Sequence, residues 1–181
     1  MHVPAVAGAI SALLHPYSAS ARNDLPTMDS VDRRLLAILQ RDGRISNAAL
    51  AEELHLSPSP CLRRLRALEQ DGVITGYTAL LDRQRLGLGL TVFAELKVDT
   101  HSDTTAKAIS DALLAAPEVI SAHIVSGPSD FRLEIVVADL SHYERLLFQT
   151  LLKLPHVTDV RSDFALRTVK SNGPLPLTGV S

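Results

Sequence analysis

The sequence predicts an α+β chain: an N-terminal winged helix-turn-helix followed by a ferredoxin-like βαββαβ domain. Three observations predict it. Three short helical patterns lie between Asp29 and Gly72, the last two separated by only three residues. The third of these helices carries arginines on one side and apolar residues on the other. Residues 91–170 contain a weak internal duplication at an offset of 38, each copy reading strand, helix, Pro-X-Val, strand.

The 181 residues suit one large domain or two small ones, with 46% hydrophobic and 21% charged residues, both ordinary for a globular protein. A net charge of −2 excludes a bulk-charge argument for nucleic acid, so any such claim must rest on local pattern. The single cysteine, Cys61, excludes an intramolecular disulfide and argues against a cysteine-based zinc site. No apolar run approaches the ~18–20 residues of a membrane span, and a cytoplasmic location is expected. Residues 1–28 are rich in Ala, Ser and Pro and nearly free of charge. They are expected to be a disordered extension, or to precede a true start at Met28. A secretory leader is disfavoured because only His2 stands where a basic lead-in belongs.

Organised sequence begins at Asp29. Val31, Leu35, Leu36 and Leu39 recur at helical spacing, Asp29 or Ser30 can cap the start, and Gly43 marks the stop. Ser46 offers an N-cap to a second short helix with Leu50 and Leu54 on its apolar face. The turn His55-Leu56-Ser57 leads into the third. Ser57 is an N-cap residue type, and Pro58 fits the first helical position, where its missing N–H costs nothing. Pro60 still lies inside the first turn, so the prolines fix a start and do not break a helix; Asp71-Gly72 closes it.

At roughly 100° per residue, Cys61, Leu62, Leu65 and Leu68 gather on one side of this helix. Ser59, Arg63, Arg66 and Gln70 gather on the other, with Arg64 flanking. Such a helix fits a DNA major groove, its N-terminus favours phosphate, and arginine can contact phosphate or read guanine. The candidate DNA-contacting residues are Ser46, Asn47, Ser57, Ser59, Pro60, Arg63, Arg64 and Arg66. The bland alternative is a solvated face. Residues 29–82 carry 7 basic and 8 acidic side chains, but positions 54–68 hold three arginines and no acid. "VITGYTALLD" reads as two short extended pieces hinged at Thr75-Gly76, suited to a small wing.

In the second half, "LLAAPEVISAHI" at 113–124 aligns with "LLKLPHVTDVRS" at 151–162, and Phe93 with Phe131. Val92, Ala94, Leu96 and Val98 alternate with more exposed positions. Helices are expected over 103–115 and 141–153, with Pro117 and Pro155 after their ends. One face of the resulting antiparallel sheet is left needing cover, and another subunit would supply it economically.

The run "LSPSPCLRR…LE…GVI.GYTA" resembles the DNA-binding domain of the Lrp/AsnC family, the leucine-responsive or feast/famine regulators, and the similarity extends over residues 29–170. The resemblance implies a DNA-binding domain over 29–82, a linker over 83–90, an effector-binding and oligomerising domain over 91–170, and a flexible tail over 171–181. It implies double-stranded DNA as a partner, a small amino acid or related metabolite as effector, and homodimers assembling to octamers. It also implies that the loop "SGPSDF" lines the effector pocket. Gly127 and Asp130 keep the family's pattern there, while Pro128 and Ser129 depart from it. "SDFA" at 162–165 would approach that pocket from a neighbouring subunit, with Asp163 where the family often has an aromatic. The implied effector residues are Ser126, Gly127, Ser129, Asp130, Asp163 and Ala165. The two departures argue against leucine itself. Read without the resemblance, the loop is simply a tight connection between strands.

No catalytic constellation, metal site or cofactor is expected. His123 reads as a packed or partly exposed strand residue, His55 as solvated, and Cys61 as a small core hydrophobe. "LGLGL" at 86–90 lacks the dinucleotide fingerprint, and "SGPS" is no nucleophile elbow. A sequence-specific, effector-responsive regulator that is not an enzyme is the first reading. A nonspecific architectural DNA-binding protein is the alternative, and a metabolite-binding protein or enzyme on the second half is a further one.

Overall fold

The computed structural model describes residues 27–100 and 102–177. The chain divides into two compact units: Leu81–Thr168, and the described residues before Leu81 together with those from Val169 onward.

In the helical unit, α1 spans Ser30–Arg41, α2 Asn47–Leu54 and α3 Pro58–Gln70. The start of α1 is a capping box: Asp29 accepts the Val31 and Asp32 N–H groups, and Asp32 accepts the Asp29 N–H in return. The Ser46 hydroxyl caps α2 by accepting the Ala49 N–H at 3.2 Å. His55 ends α2 in the left-handed region, at φ 57° and ψ 43°, and so turns the chain toward α3 without a glycine. Leu35, Leu36, Ile38, Leu50, Ala51, Leu54, Cys61 and Leu68 form the buried core. Each fully buried leucine contributes about 1.5–3 kcal/mol.

Two segments gain detail here. The segment after Gly72 forms no strand ladder; Ile74 N–H bonds back to the Leu68 carbonyl, and the Tyr77 hydroxyl donates to Glu69 at 3.0 Å. Gly76 has a positive φ of 159°, a conformation that side chains rarely adopt. The segment from residue 171, expected to be a flexible tail, is held as far as Leu177. Gln40 donates from Nε2 to the Leu175 carbonyl at 3.3 Å and accepts the Leu175 N–H on Oε1. Leu177 packs on the helical core. Residues 178–181 and 1–26, the latter covering most of the N-terminal extension, lie outside the described residues.

The second unit runs β1 (Leu90–Val98), α4 (Asp103–Ala115), β2 (Val119–Ile124), β3 (Phe131–Val137), α5 (Leu140–Gln149), a 3₁₀ turn (Leu151–Lys153) and β4 (Val157–Phe164). The sheet order is β2-β3-β1-β4 and every pair is antiparallel, as βαββαβ requires. Val92, Ala94, Leu96 and Val98 bury one face beneath Ile109 and Leu113 of α4 and Tyr143 and Leu146 of α5. The helix expected over 141–153 stops at Gln149 and tightens into the 3₁₀ turn, which buries Leu151 ahead of Pro155.

The opposite face is charged. Strand register aligns Arg132, Glu95 and Arg161 in one row, and Glu134, Phe93 and Asp163 in the next. Opposite charges directly across an antiparallel pair support it modestly. Residues 82–88, at the expected linker, make a compact turn, and Arg83 donates from it to Glu134 at 3.1 Å and Thr91 at 3.3 Å.

Candidate nucleic-acid interface and effector site

Helix α3 separates its faces as the sequence pattern expects. Cys61 and Leu68 are buried, and burial pushes the Cys61 thiol up from its ordinary value. Ser57, Ser59, Arg63, Arg66 and Gln70 are exposed, while Pro60 is half-buried. Arg63 and Arg66 have no ion pair among the described residues. Their guanidinium groups are therefore the free cations of this helix.

The N-terminus of α3 is a poorer anion site than its position suggests. Ser57 sits in cap geometry but its side chain makes no cap bond. Pro58 and Pro60 have no N–H to give, and the Cys61 N–H goes to the Ser57 carbonyl at 3.3 Å. Ser59 alone supplies a first-turn amide for a phosphate. The Ser57 hydroxyl, relieved of capping, faces solvent beside it.

Three candidate residues have other duties. Asn47 is half-buried and donates from Nδ2 to the Pro58 carbonyl at 3.0 Å, tying the start of α2 to the start of α3. Its Oδ1 is buried without a partner among the described residues. Ser46 is exposed but spends an acceptor site on its cap. Arg64, grouped with the stripe by sequence, folds back instead. Its Nη1 donates to Asp29 and to Asp32, each at 2.8 Å. These bonds raise the Arg64 pKa, the Asp32 bond most. Pairing across 32 and 35 residues is invisible to helical periodicity, which places Arg64 only on the flank.

In the sheet unit, the loop between β2 and β3 holds Ser126, Gly127, Ser129 and Asp130. It is closed by Val125 N–H to the Asp130 carbonyl at 3.0 Å, and Asp130 N–H reaches the Leu96 carbonyl at 2.9 Å. Gly127 has φ 130°, a conformation side chains rarely adopt, and is exposed with Ser126. The Asp130 carboxylate caps the end of β1: Oδ2 accepts the Val98 N–H at 2.9 Å and lies 3.3 Å from Lys97 Nζ. Lys97 is absent from the sequence-derived site, because only the strand register brings residues 97 and 130 together.

Asp163 is exposed, across from Phe93 on the open sheet face, and its Oδ2 lies 3.7 Å from Arg161. Ala165 N–H donates to the Thr91 carbonyl at 3.0 Å. The two candidate clusters thus attach to β1 at opposite ends, one at Leu96 and the other at Thr91. At about 3.3 Å per residue they are roughly 16 Å apart. Between them, Ser162 and Phe164 are taken up by Tyr143, through its hydroxyl and an edge-to-face ring contact at 5.6 Å.

Among the described residues no group of three or more His, Cys, Asp or Glu is arranged to hold a metal, and no helix is long and apolar enough to cross a membrane.

Comparison with known proteins matches two family models to the chain. The family model described as winged helix-turn-helix DNA-binding matches residues 28–75, and the one described as Lrp/AsnC ligand binding domain matches residues 91–175. The chain is 41% identical over 148 residues to the leucine-responsive regulatory protein of Escherichia coli strain K12, covering 82% of this chain and 90% of that one. Among solved structures, a transcriptional regulator of Neisseria meningitidis in complex with L-Met is similar, with a TM-score of 0.80 and 34% identity over 84% of this chain and 98% of that one. An AsnC family regulator of Agrobacterium tumefaciens gives 0.79 and 37% over 83% and 97%.

Proposed function

Since the chain belongs to the Lrp/AsnC family of transcriptional regulators, we propose that it binds specific DNA through α3 and adjusts that binding to a small amino acid held between subunits. Arg63 and Arg66, unpaired and exposed on the face opposite Cys61 and Leu68, are the observation that carries the DNA assignment. Arg63 and Arg66 meet bases or phosphates, while Ser57, Ser59 and Ser46 offer hydrogen bonds to the backbone. Regulation occurs in the cytoplasm and involves no catalysis.

Charge carries the effector assignment. An amino acid is a zwitterion, and Lys97 beside Asp130 offers both complements. Asp130 can accept from the ligand ammonium, while Lys97 and the amides around Gly127 meet its carboxylate. The open sheet face supports a dimer, because its rows of opposite charge around Phe93 can be matched by a second copy rotated about a two-fold axis. Further assembly brings a β4 end toward a neighbour's loop. The ligand then acts by binding one assembly better than another, and ~1–3 kcal/mol of such coupling changes DNA affinity roughly 5- to 150-fold.

A gel shift on the protein's own upstream region, with excess competitor DNA, tests the first part. Specific retention is expected; equal retention of any DNA would favour an architectural role. A thermal-shift screen of the twenty amino acids tests the second. At least one hit is expected, weakened in Asp130→Asn while ligand-free DNA binding is kept. A hit of unchanged strength in that variant would remove Asp130 from the site.

A further inference from the structure

Arg64 looks at first like part of the DNA-facing charge, since it lies between two exposed arginines in the same helix. The geometry assigns it elsewhere: we infer that Arg64 is a positioning residue that sets the angle of α3 against α1, and that it does not contact DNA. The inference rests on the DNA-binding reading of α3 and names how that helix is aimed.

Three observations support it. First, one guanidinium nitrogen is shared by two carboxylates at 2.8 Å each, and these are the two residues of the α1 capping box. The arginine therefore grips the rigid first turn of α1 and not a mobile side chain. Second, the Asp32 side chain is only 13% exposed and that of Arg64 34%. Turning Arg64 out to a phosphate would strand a carboxylate that water reaches poorly. Third, Asn47 ties the start of α3 to α2 through the Pro58 carbonyl. That bond fixes one end of α3, and Arg64, six residues on, fixes its roll. Arg63 and Arg66, with no such tether, are left to point outward.

The two roles predict opposite electrostatics. A phosphate contact releases counterions, so losing it flattens the salt dependence of binding by about one unit of slope. A positioning contact carries no such term. Moreover, removing an acid near DNA should tighten binding if charge alone mattered. If Asp32 serves to hold Arg64, removing it should loosen binding.

The test uses the full chain and fluorescence anisotropy on the preferred site and on scrambled DNA, from about 50 to 200 mM salt. Arg64→Ala is expected to weaken the preferred site roughly 3- to 30-fold, within the usual range for coupled contacts. Scrambled-DNA affinity and the salt slope should stay unchanged. Asp32→Asn should give a similar loss of preference, and Arg64→Ala with Asp32→Asn no more than either alone. Reversing the pair, Arg64→Asp with Asp32→Arg, should restore preference relative to Arg64→Asp. Arg63→Ala is the contrast, expected to lower the slope by about one or to relax preference at one base. The inference is overturned if Arg64→Ala lowers the slope and weakens all DNA alike, or if Asp32→Asn tightens binding. If neither Arg63→Ala nor Arg66→Ala changes binding to any DNA, the assignment of α3 as the DNA-reading helix fails, and this inference falls with it. That outcome is distinguishable because Arg63 and Arg66 lie outside the tether.

Discussion

At the scale of single residues, Asp29 has more to do than its exposed position suggests. It caps α1, accepts from Arg64, and through both joins the first helix to the third. The Asp32 backbone N–H, then Arg64, hold its pKa below the ordinary aspartate range. A carboxylate held low in the folded state stabilises above its unfolded value, and that contribution is lost as pH falls through the folded value. The expected outcome is a helical domain that loses stability below about pH 4. Asp29→Asn keeps a capping side chain but cannot ionise. It should be less stable than the parent at pH 7, with the gap closing toward pH 3 in urea unfolding followed by circular dichroism. A gap independent of pH would mean that the ionised carboxylate adds nothing. Helical spacing places Arg63, Arg66, Cys61 and Leu68 on their observed sides, because a helix face is a local property. Arg64's partners and Lys97's neighbour depend on tertiary packing and strand register, and no local pattern encodes those.

Elements show the same division between local and non-local cause. The helix at 103–115 matches α4, since Ser102 caps one end and Pro117 follows the other. The helix at 141–153 was only partly legible: Leu151 is drawn fully into the core by the 3₁₀ turn, a demand set by the sheet above it. The segment after Gly72 carries no strand ladder, because a glycine that permits a turn does not compel one. In α3 the two prolines give a sharper test. With Pro60 at the third helical position, Ser57 lacks the amide it would ordinarily cap. Ser57→Ala should therefore leave stability unchanged within about 0.5 kcal/mol. In a Pro60→Ala background, where that amide exists, the same change should cost about 1 kcal/mol. Denaturant unfolding of the four proteins measures it. A full capping loss in the parent would show that Ser57 caps by another route. If the hydroxyl instead serves a phosphate, Ser57→Ala weakens DNA binding with no cost in stability.

At the scale of the whole molecule, the chain leaves the helical unit near Leu80, builds the sheet unit, and returns at Val169 to the unit it left. The fold class was readable from periodicity and internal duplication, but this return was not. "NGPLPL" has the composition of a loop, and only the Gln40 amide and the packing of Leu177 on the helical core reveal its partner. Ending the chain at Gly173 removes both Gln40 bonds and the Leu177 packing. The expected cost to the helical unit is about 1–2 kcal/mol, summing one partly buried leucine and two exposed hydrogen bonds. Gln40→Ala should account for part of it. Thermal unfolding resolves this if the two units melt separately, and an unchanged helical transition would show the strap to be energetically idle.

The same strap sets a schedule for biosynthesis. Gln40 and Leu175 are 135 residues apart, so at ribosomal speeds of about 5–20 residues per second the clamp waits roughly 7–27 s for its second half. During that interval α1, α2 and α3 can already be folded, with the place for Leu177 still empty. The first unit to emerge is thus the last to be completed, and a ribosome stalled within the sheet unit carries a helical domain with its clamp unfastened.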